Sequence, residues 1–163
     1  MHKGVQNSYG SAFYAVKNNM MFIREFNLGD LGRVYEIESE SFEDPYNPVF
    51  LLNLYELYPG TFLVALENGR VIGYVISRVV DSSGHVIAIA VDSKKRKRGV
   101  GKTLMEETIR RLRGFGAKNA WLEVRISNHS AIEFYKRLGF VEGGIVRAYY
   151  SDMEDAILLK KLI

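Results

Sequence analysis

One segment constrains the fold more than any other. The apolar run Ile87-Ala88-Ile89-Ala90-Val91 leads through a charged turn into Arg96-Lys97-Arg98-Gly99-Val100-Gly101, which opens an amphipathic helical pattern. The run is apolar on both faces after His85, which predicts a strand in the middle of a sheet. From Gly99 to about Phe115, Val100, Leu104, Thr108 and Leu112 fall on one helical stripe with Met105 and Ile109 beside them. Gly114 and Gly116 are stop signals. The first-turn amides of a helix lack internal partners, and the helix dipole adds positive potential there. Glycines let an anion approach that backbone closely. Strand, basic glycine turn and helix start therefore read as an anion cradle. The spacing is neither that of a Walker P-loop nor G-x-G-x-x-G. The bland alternative is a solvated basic turn.

Around this segment the chain reads as a mixed α/β domain. Phe22 to Phe26 is strand-like, and Asp30 is positioned to cap a helix reaching Ser41. Glu43-Asp44-Pro45-Tyr46-Asn47-Pro48 is a loop, and Val49 to Tyr58 a second short helix. Strands are expected at Thr61 to Glu67, Val71 to Val80 and His85 to Val91, with Asn68-Gly69 as a hairpin turn and Asp81 to Gly84 as the next. Ala120 to Ile126 is a strand, and Ser127 or Asn128 caps a helix through Leu138. Strands ending near Arg147 and spanning Ala156 to Leu162 complete the chain. Residues 1–20, rich in Ser, Asn, Gly and Tyr, show no sustained period and are expected to be a flexible extension of a domain spanning 21–163.

The length suits one domain, and no apolar run approaches the roughly 18 residues of a membrane span. A cytoplasmic location is expected. The chain has no cysteine, which removes disulfides, thiolate metal sites and a thiol nucleophile together. A net charge of +3 does not by itself indicate nucleic acid.

The pattern R-x-x-G-x-G at Arg96, Gly99 and Gly101 resembles the pyrophosphate-binding segment of the GNAT family of N-acetyltransferases. Glu123-Val124-Arg125-Ile126-Ser127-Asn128, with Ala131-Ile132-Glu133-Phe134-Tyr135 and Leu138-Gly139-Phe140, resembles that family's second signature. The tail Tyr149-Tyr150-Ser151-Asp152-Met153-Glu154-Asp155-Ala156 is similar to ribosomal-protein alanine acetyltransferases and Ard1-type N-terminal acetyltransferases. The resemblance runs in order from about Met21 to Ile163. It implies a mostly antiparallel sheet flanked by helices, with a splayed central strand pair that takes acetyl-CoA. By it, the backbone of Ile89, Ala90 and Val91 contacts the thioester and pantetheine. Arg96, Lys97, Arg98, Gly99, Val100, Gly101 and Lys102 surround the pyrophosphate, and Asn128 and Tyr135 line the cofactor's other side.

Acetyl transfer from a thioester needs a neutral amine, a stabilised oxyanion and a proton for the leaving thiolate. The resemblance makes Tyr135 the acid; its plain alternative is a core tyrosine. Glu43, in the loop that borders the acceptor in Ard1-like enzymes, and His85, at the start of the central strand, are both candidate bases. Glu123 either acts through a water with His85 or pairs with Arg125. Two such ligands make a weak zinc site, and no metal is expected. Tyr46, Tyr149 and Tyr150 are candidates for holding a peptide backbone, with Glu43 beside the acceptor. The expected acceptor is a protein N-terminal α-amine. A lysine side chain or small amine is the competing acceptor, and a non-catalytic CoA- or nucleic-acid-binding module the competing class.

Overall fold

The computed structural model describes residues 5–6, 12–16 and 19–163. They separate into two compact units, Met1–Ser77 with Ile87–Arg111, and Arg78–Val86 with Leu112–Ile163.

The first unit begins with β1 (Val5–Gln6), β2 (Ala12–Val16) and β3 (Asn19–Glu25), then α1 (Leu31–Ser41) and α2 (Pro48–Leu57). It continues with β4 (Phe62–Glu67), most of β5 (Arg70–Val80), the second half of β6 (Ser83–Val91) and most of α3 (Val100–Gly114). Strand order here is β1-β2-β3-β4-β5-β6, and β1 through β5 pair antiparallel. Asn68 (φ 51°) and Gly69 (φ 76°) make the β4–β5 turn, because both types tolerate a left-handed backbone.

Phe26, Val34, Ile37, Leu51, Leu54, Phe62, Tyr74, Ile76, Ala88 and Ala90 form the core beneath α1 and α2. Phe26 and Phe62 stack with ring centroids 4.3 Å apart. Val100, Leu104 and Thr108 of the α3 stripe read from the sequence are buried, as are Met105 and Ile109 beside it. A Cβ on Gly73 of β5 would stand 3.1 Å from the Ala90 carbonyl oxygen and 3.2 Å from Leu104. The missing side chain is what lets the start of α3 lie close on this sheet.

The second unit holds the first half of β6, β7 (Asn119–Arg125), α4 (His129–Arg137), β8 (Val141–Val146) and β9 (Ala156–Leu162). β9 lies between β7 and β8 and is antiparallel to both. β7 keeps register with β9 as far as Arg125, whereas its parallel register with β6 ends at His85–Trp121. Ile132 and Tyr135 of α4 are buried, as the helical spacing predicts. Among the described residues no helix is long and apolar enough to cross a membrane.

Two local expectations need correction. Asp30 stands before α1 but makes no side-chain cap bond. Asn27 caps the preceding 3-10 turn instead, and the Asp30 carboxylate accepts from Arg24 and from the Asn27 amide. The β5–β6 turn is tighter than read, since Asp81 and Ser82 take positive φ and Ser83-Gly84 already belong to the strand. Within the stretch 1–20, expected as a flexible extension, β1, β2 and the start of β3 are described; its other residues lie outside those described.

Candidate active site

In the first unit, a 3-10 turn at Ser93–Lys95 follows β6, capped by the Asp92 side chain accepting from the Lys94 amide. Lys97 (φ 59°) and Gly99 (φ 88°) then adopt left-handed backbone and reverse the chain into α3. The Gly99 carbonyl accepts from the Thr103 amide and hydroxyl at 3.0 and 2.9 Å, which leaves the α3 amides before Thr103 without helical partners. Gly101 adds no side chain over them. An anion fits this start.

The basic residues divide into two groups. The Arg96 guanidinium donates to the Val91 carbonyl at 3.0 Å and to the Ser41 hydroxyl at 3.2 Å, bracing the turn against the end of α1. Lys95 and Arg98 both pair with Glu67, whose side chain is largely buried. Lys97 and Lys102 are exposed, with the Lys102 ammonium 3.8 Å from the Glu106 carboxylate. Part of the positive run is thus structural, and Glu67 is the partner that sequence spacing did not reveal.

Also in this unit, Glu43 is exposed and Tyr46 half-buried in the α1–α2 loop, the Tyr46 ring tilted against Phe50. Asn47 closes the loop by capping α2 through the Phe50 amide at 2.9 Å. Beneath it lies a residue the sequence reading passed over. Glu38 is only 2% exposed and sits on the apolar face of α1 with Val34 and Ile37. Its carboxylate accepts from the Tyr46 amide at 2.9 Å and from the Tyr74 hydroxyl. A charged residue on an apolar helical stripe was the available signal. Burial pushes the Glu38 carboxyl up to about 7, against the opposing pull of the Tyr46 hydrogen bond.

A carboxyl raised in this way binds its proton more tightly folded than unfolded. Stability should therefore be greatest below pH ~4.5 for this group and fall as pH rises through 7, by roughly 3 kcal/mol at most. Denaturant unfolding at pH 5 and pH 8 checks this. The wild type is expected to lose stability across that interval relative to Glu38→Gln; parallel pH dependences in the two proteins would refute it.

In the second unit, His85 is buried and stacks on Trp121, with ring centroids 3.8 Å apart. His85 Nε2 lies 2.9 Å from a Glu123 carboxylate oxygen, while Nδ1 is buried without a hydrogen-bond partner among the described residues. Glu123 and His85 are thus brought together. Arg125 is not the partner of Glu123: it reaches Asp152 and Glu154 at 2.8 and 2.7 Å. An Nε2 proton donated to Glu123 sets the orientation of the ring and leaves the Nδ1 lone pair on its other side.

Tyr135 is 8% exposed, with Phe134 and Phe140 meeting its ring edge-on. Burial, and secondarily Tyr150, pushes its phenol well above the usual tyrosine range, so it stays protonated at neutral pH. The Asn128 side-chain oxygen accepts from the Ala131 amide at 3.2 Å and caps α4. Tyr149 and Tyr150 meet edge-on at 5.0 Å, and both their amides donate to the Glu154 carbonyl. The Arg125 guanidinium lies 4.0 Å above the Tyr150 ring, a cation–π contact the sequence did not suggest. The Ser127 hydroxyl first, then Arg125, holds the Glu154 carboxylate below its ordinary range.

The model of the acetyltransferase (GNAT) family matches residues 31–140. An uncharacterized N-acetyltransferase of Methanocaldococcus jannaschii is 39% identical over 142 residues, covering 86% of this chain and 91% of that protein. An N-alpha-acetyltransferase of Sulfurisphaera tokodaii is 32% identical, covering 89% of this chain and 95% of its own. The crystal structure of Ard1 from Thermoplasma volcanium superposes with a TM-score of 0.85 at 32% identity, over 88% of this chain and 97% of that one.

Proposed function

We propose that this chain, which belongs to the acetyltransferase (GNAT) family, moves the acetyl group of acetyl-CoA directly onto the α-amine of a polypeptide N-terminus, with residues 21–163 as the domain that carries the reaction and the cytoplasm as its location. The observation that carries the acceptor is the near full-length likeness to a protein named for N-alpha-acetyl transfer. The donor is supported by the α3 start, where amides without helical partners, Gly101 and exposed Lys97 and Lys102 suit a pyrophosphate. Ile89, Ala90 and Val91 offer strand backbone to the pantetheine arm, and Arg96, Arg98 and Val100 shape the turn around the phosphates. Asn128 serves the donor indirectly, by capping α4, which bears Tyr135.

In the proposed step the amine lone pair forms the new C–N bond to the thioester carbonyl carbon, and the C–S bond breaks with its electron pair on sulfur. The Tyr135 hydroxyl supplies the proton the thiolate takes up. The amine proton leaves to His85 Nδ1, which Glu123 orients, or through Glu43. Tyr46, Tyr149 and Tyr150 present hydroxyls to the peptide backbone. An α-amine needs little help, since its pKa of about 8 lies some two units below that of lysine.

A matched pair of peptides tests the acceptor: one with a free N-terminus and no lysine, the other N-blocked with an internal lysine. Mass spectrometry is expected to find acetyl on the first with a kcat/KM roughly 100-fold higher, the size of the neutral-amine advantage that two pKa units give. Preference for the blocked lysine peptide would overturn the assignment.

A further inference from the structure

We propose that Glu38 is a positioning residue for the acceptor: its buried carboxylate anchors the loop bearing Glu43 and Tyr46 to strand β5. The proposal rests on the reading of that loop as the acceptor side of the site. Three features of the structure carry it. Glu38 lies on the last turns of α1 and is 2% exposed, although an isolated carboxylate in such surroundings is strongly destabilising. Its two oxygens bridge loop and strand, one accepting the Tyr46 amide eight residues along the chain and the other the hydroxyl of Tyr74 on β5. Tyr74 is itself fully buried among Ile37, Phe62 and Ile76, so it is a fixed post.

The loop is also tied at its two ends. Phe42 closes α1 by donating to the Glu38 carbonyl, and Asn47 opens α2. Between them Glu43 and Asp44 are exposed. Backbone fixed at Tyr46 from below sets where the Tyr46 ring and the Glu43 carboxylate stand. An apolar residue at position 38 would fill the space yet leave the Tyr46 amide and the Tyr74 hydroxyl unsatisfied. Glutamine keeps a partner for each, its carbonyl accepting the Tyr46 amide and its NH2 donating to the Tyr74 oxygen, with the direction of the Tyr74 bond reversed. Shape, burial and hydrogen-bonding capacity thus separate the two substitutions.

The experiment compares Glu38→Leu and Glu38→Gln in two readouts, with Glu43→Gln and Tyr46→Ala as loop controls. Amide hydrogen exchange is followed over residues 42–47, and steady-state kinetics are measured with a lysine-free peptide bearing a free N-terminus. Glu38→Leu is expected to speed exchange at Tyr46 at least about tenfold, as loss of a protecting hydrogen bond does. It should also raise the peptide KM about tenfold while the acetyl-CoA KM changes little. Glu38→Gln should restore both to near wild type. Unchanged exchange in a folded Glu38→Leu protein would overturn the anchor. Faster exchange with an unchanged peptide KM, while Glu43→Gln or Tyr46→Ala alters it, would overturn the positioning role alone. Faster exchange with no kinetic effect from any of the four variants would refute the acceptor-loop reading, and the positioning role with it. If Glu38→Leu does not fold, Tyr74→Phe removes one of the two bonds at small steric cost and is read by the same measurements and against the same outcomes.

Discussion

Tyr135→Phe is expected to lower kcat by roughly 10²- to 10⁴-fold, the range for removal of a positioned acid, with acetyl-CoA affinity nearly unchanged. The ring's environment predicts that the fold survives. Phe134 and Phe140 meet it edge-on, contacts a phenylalanine reproduces, and the substitution removes a single oxygen. The phenol is held protonated by burial, so in the wild type a proton is available to the departing thiolate throughout the neutral range. In the variant the thiolate must leave without it. Steady-state kinetics over pH 6.5 to 8.5 check the loss, and rapid quench in the absence of acceptor checks the direct route. With no cysteine in the chain, no burst of acetylated enzyme is expected. Either such a burst or a Tyr135→Phe enzyme of wild-type kcat would contradict the proposed proton handling.

The second large effect is expected at the α3 start. Gly101→Val places a β-branched side chain over amides that have no helical partner, and CoA affinity should fall roughly 10- to 100-fold, about 1.4 to 2.8 kcal/mol. Gly99→Val acts differently. At φ 88° a valine is strained, and relief of that strain would shift the carbonyl that the Thr103 amide and hydroxyl share. The first variant blocks the approach of phosphate and the second deforms the cradle, so both should weaken binding while circular dichroism shows the helices retained. Calorimetry giving wild-type CoA affinity in both would remove the phosphate site from the α3 start. A salt-sensitive affinity for nucleic acid that ignores CoA would point to the competing binding module instead.

What the amino-acid sequence determined by itself was whatever neighbours along the chain can specify. The α3 stripe, the Asn68-Gly69 turn, the Asn128 cap and the strand–glycine–helix junction each depend on residues a few positions apart, where periodicity and backbone preference act directly. Those local features, in order, were also enough to carry the family resemblance and with it the donor. Tertiary structure alone decided the pairings across long sequence separations. Glu38 meets Tyr74 36 residues away, and His85 meets Glu123 38 residues away. Arg125 turned from the nearby Glu123 to Asp152, Glu154 and the Tyr150 ring. Likewise β2 paired with β3, although residues 1–20 show no sustained period. The reason is that a side chain's partner is set by strand register and by how closely helices approach the sheet. A buried carboxylate takes whichever donors that packing brings within reach, because leaving it unpaired costs more than any preference written locally in the chain.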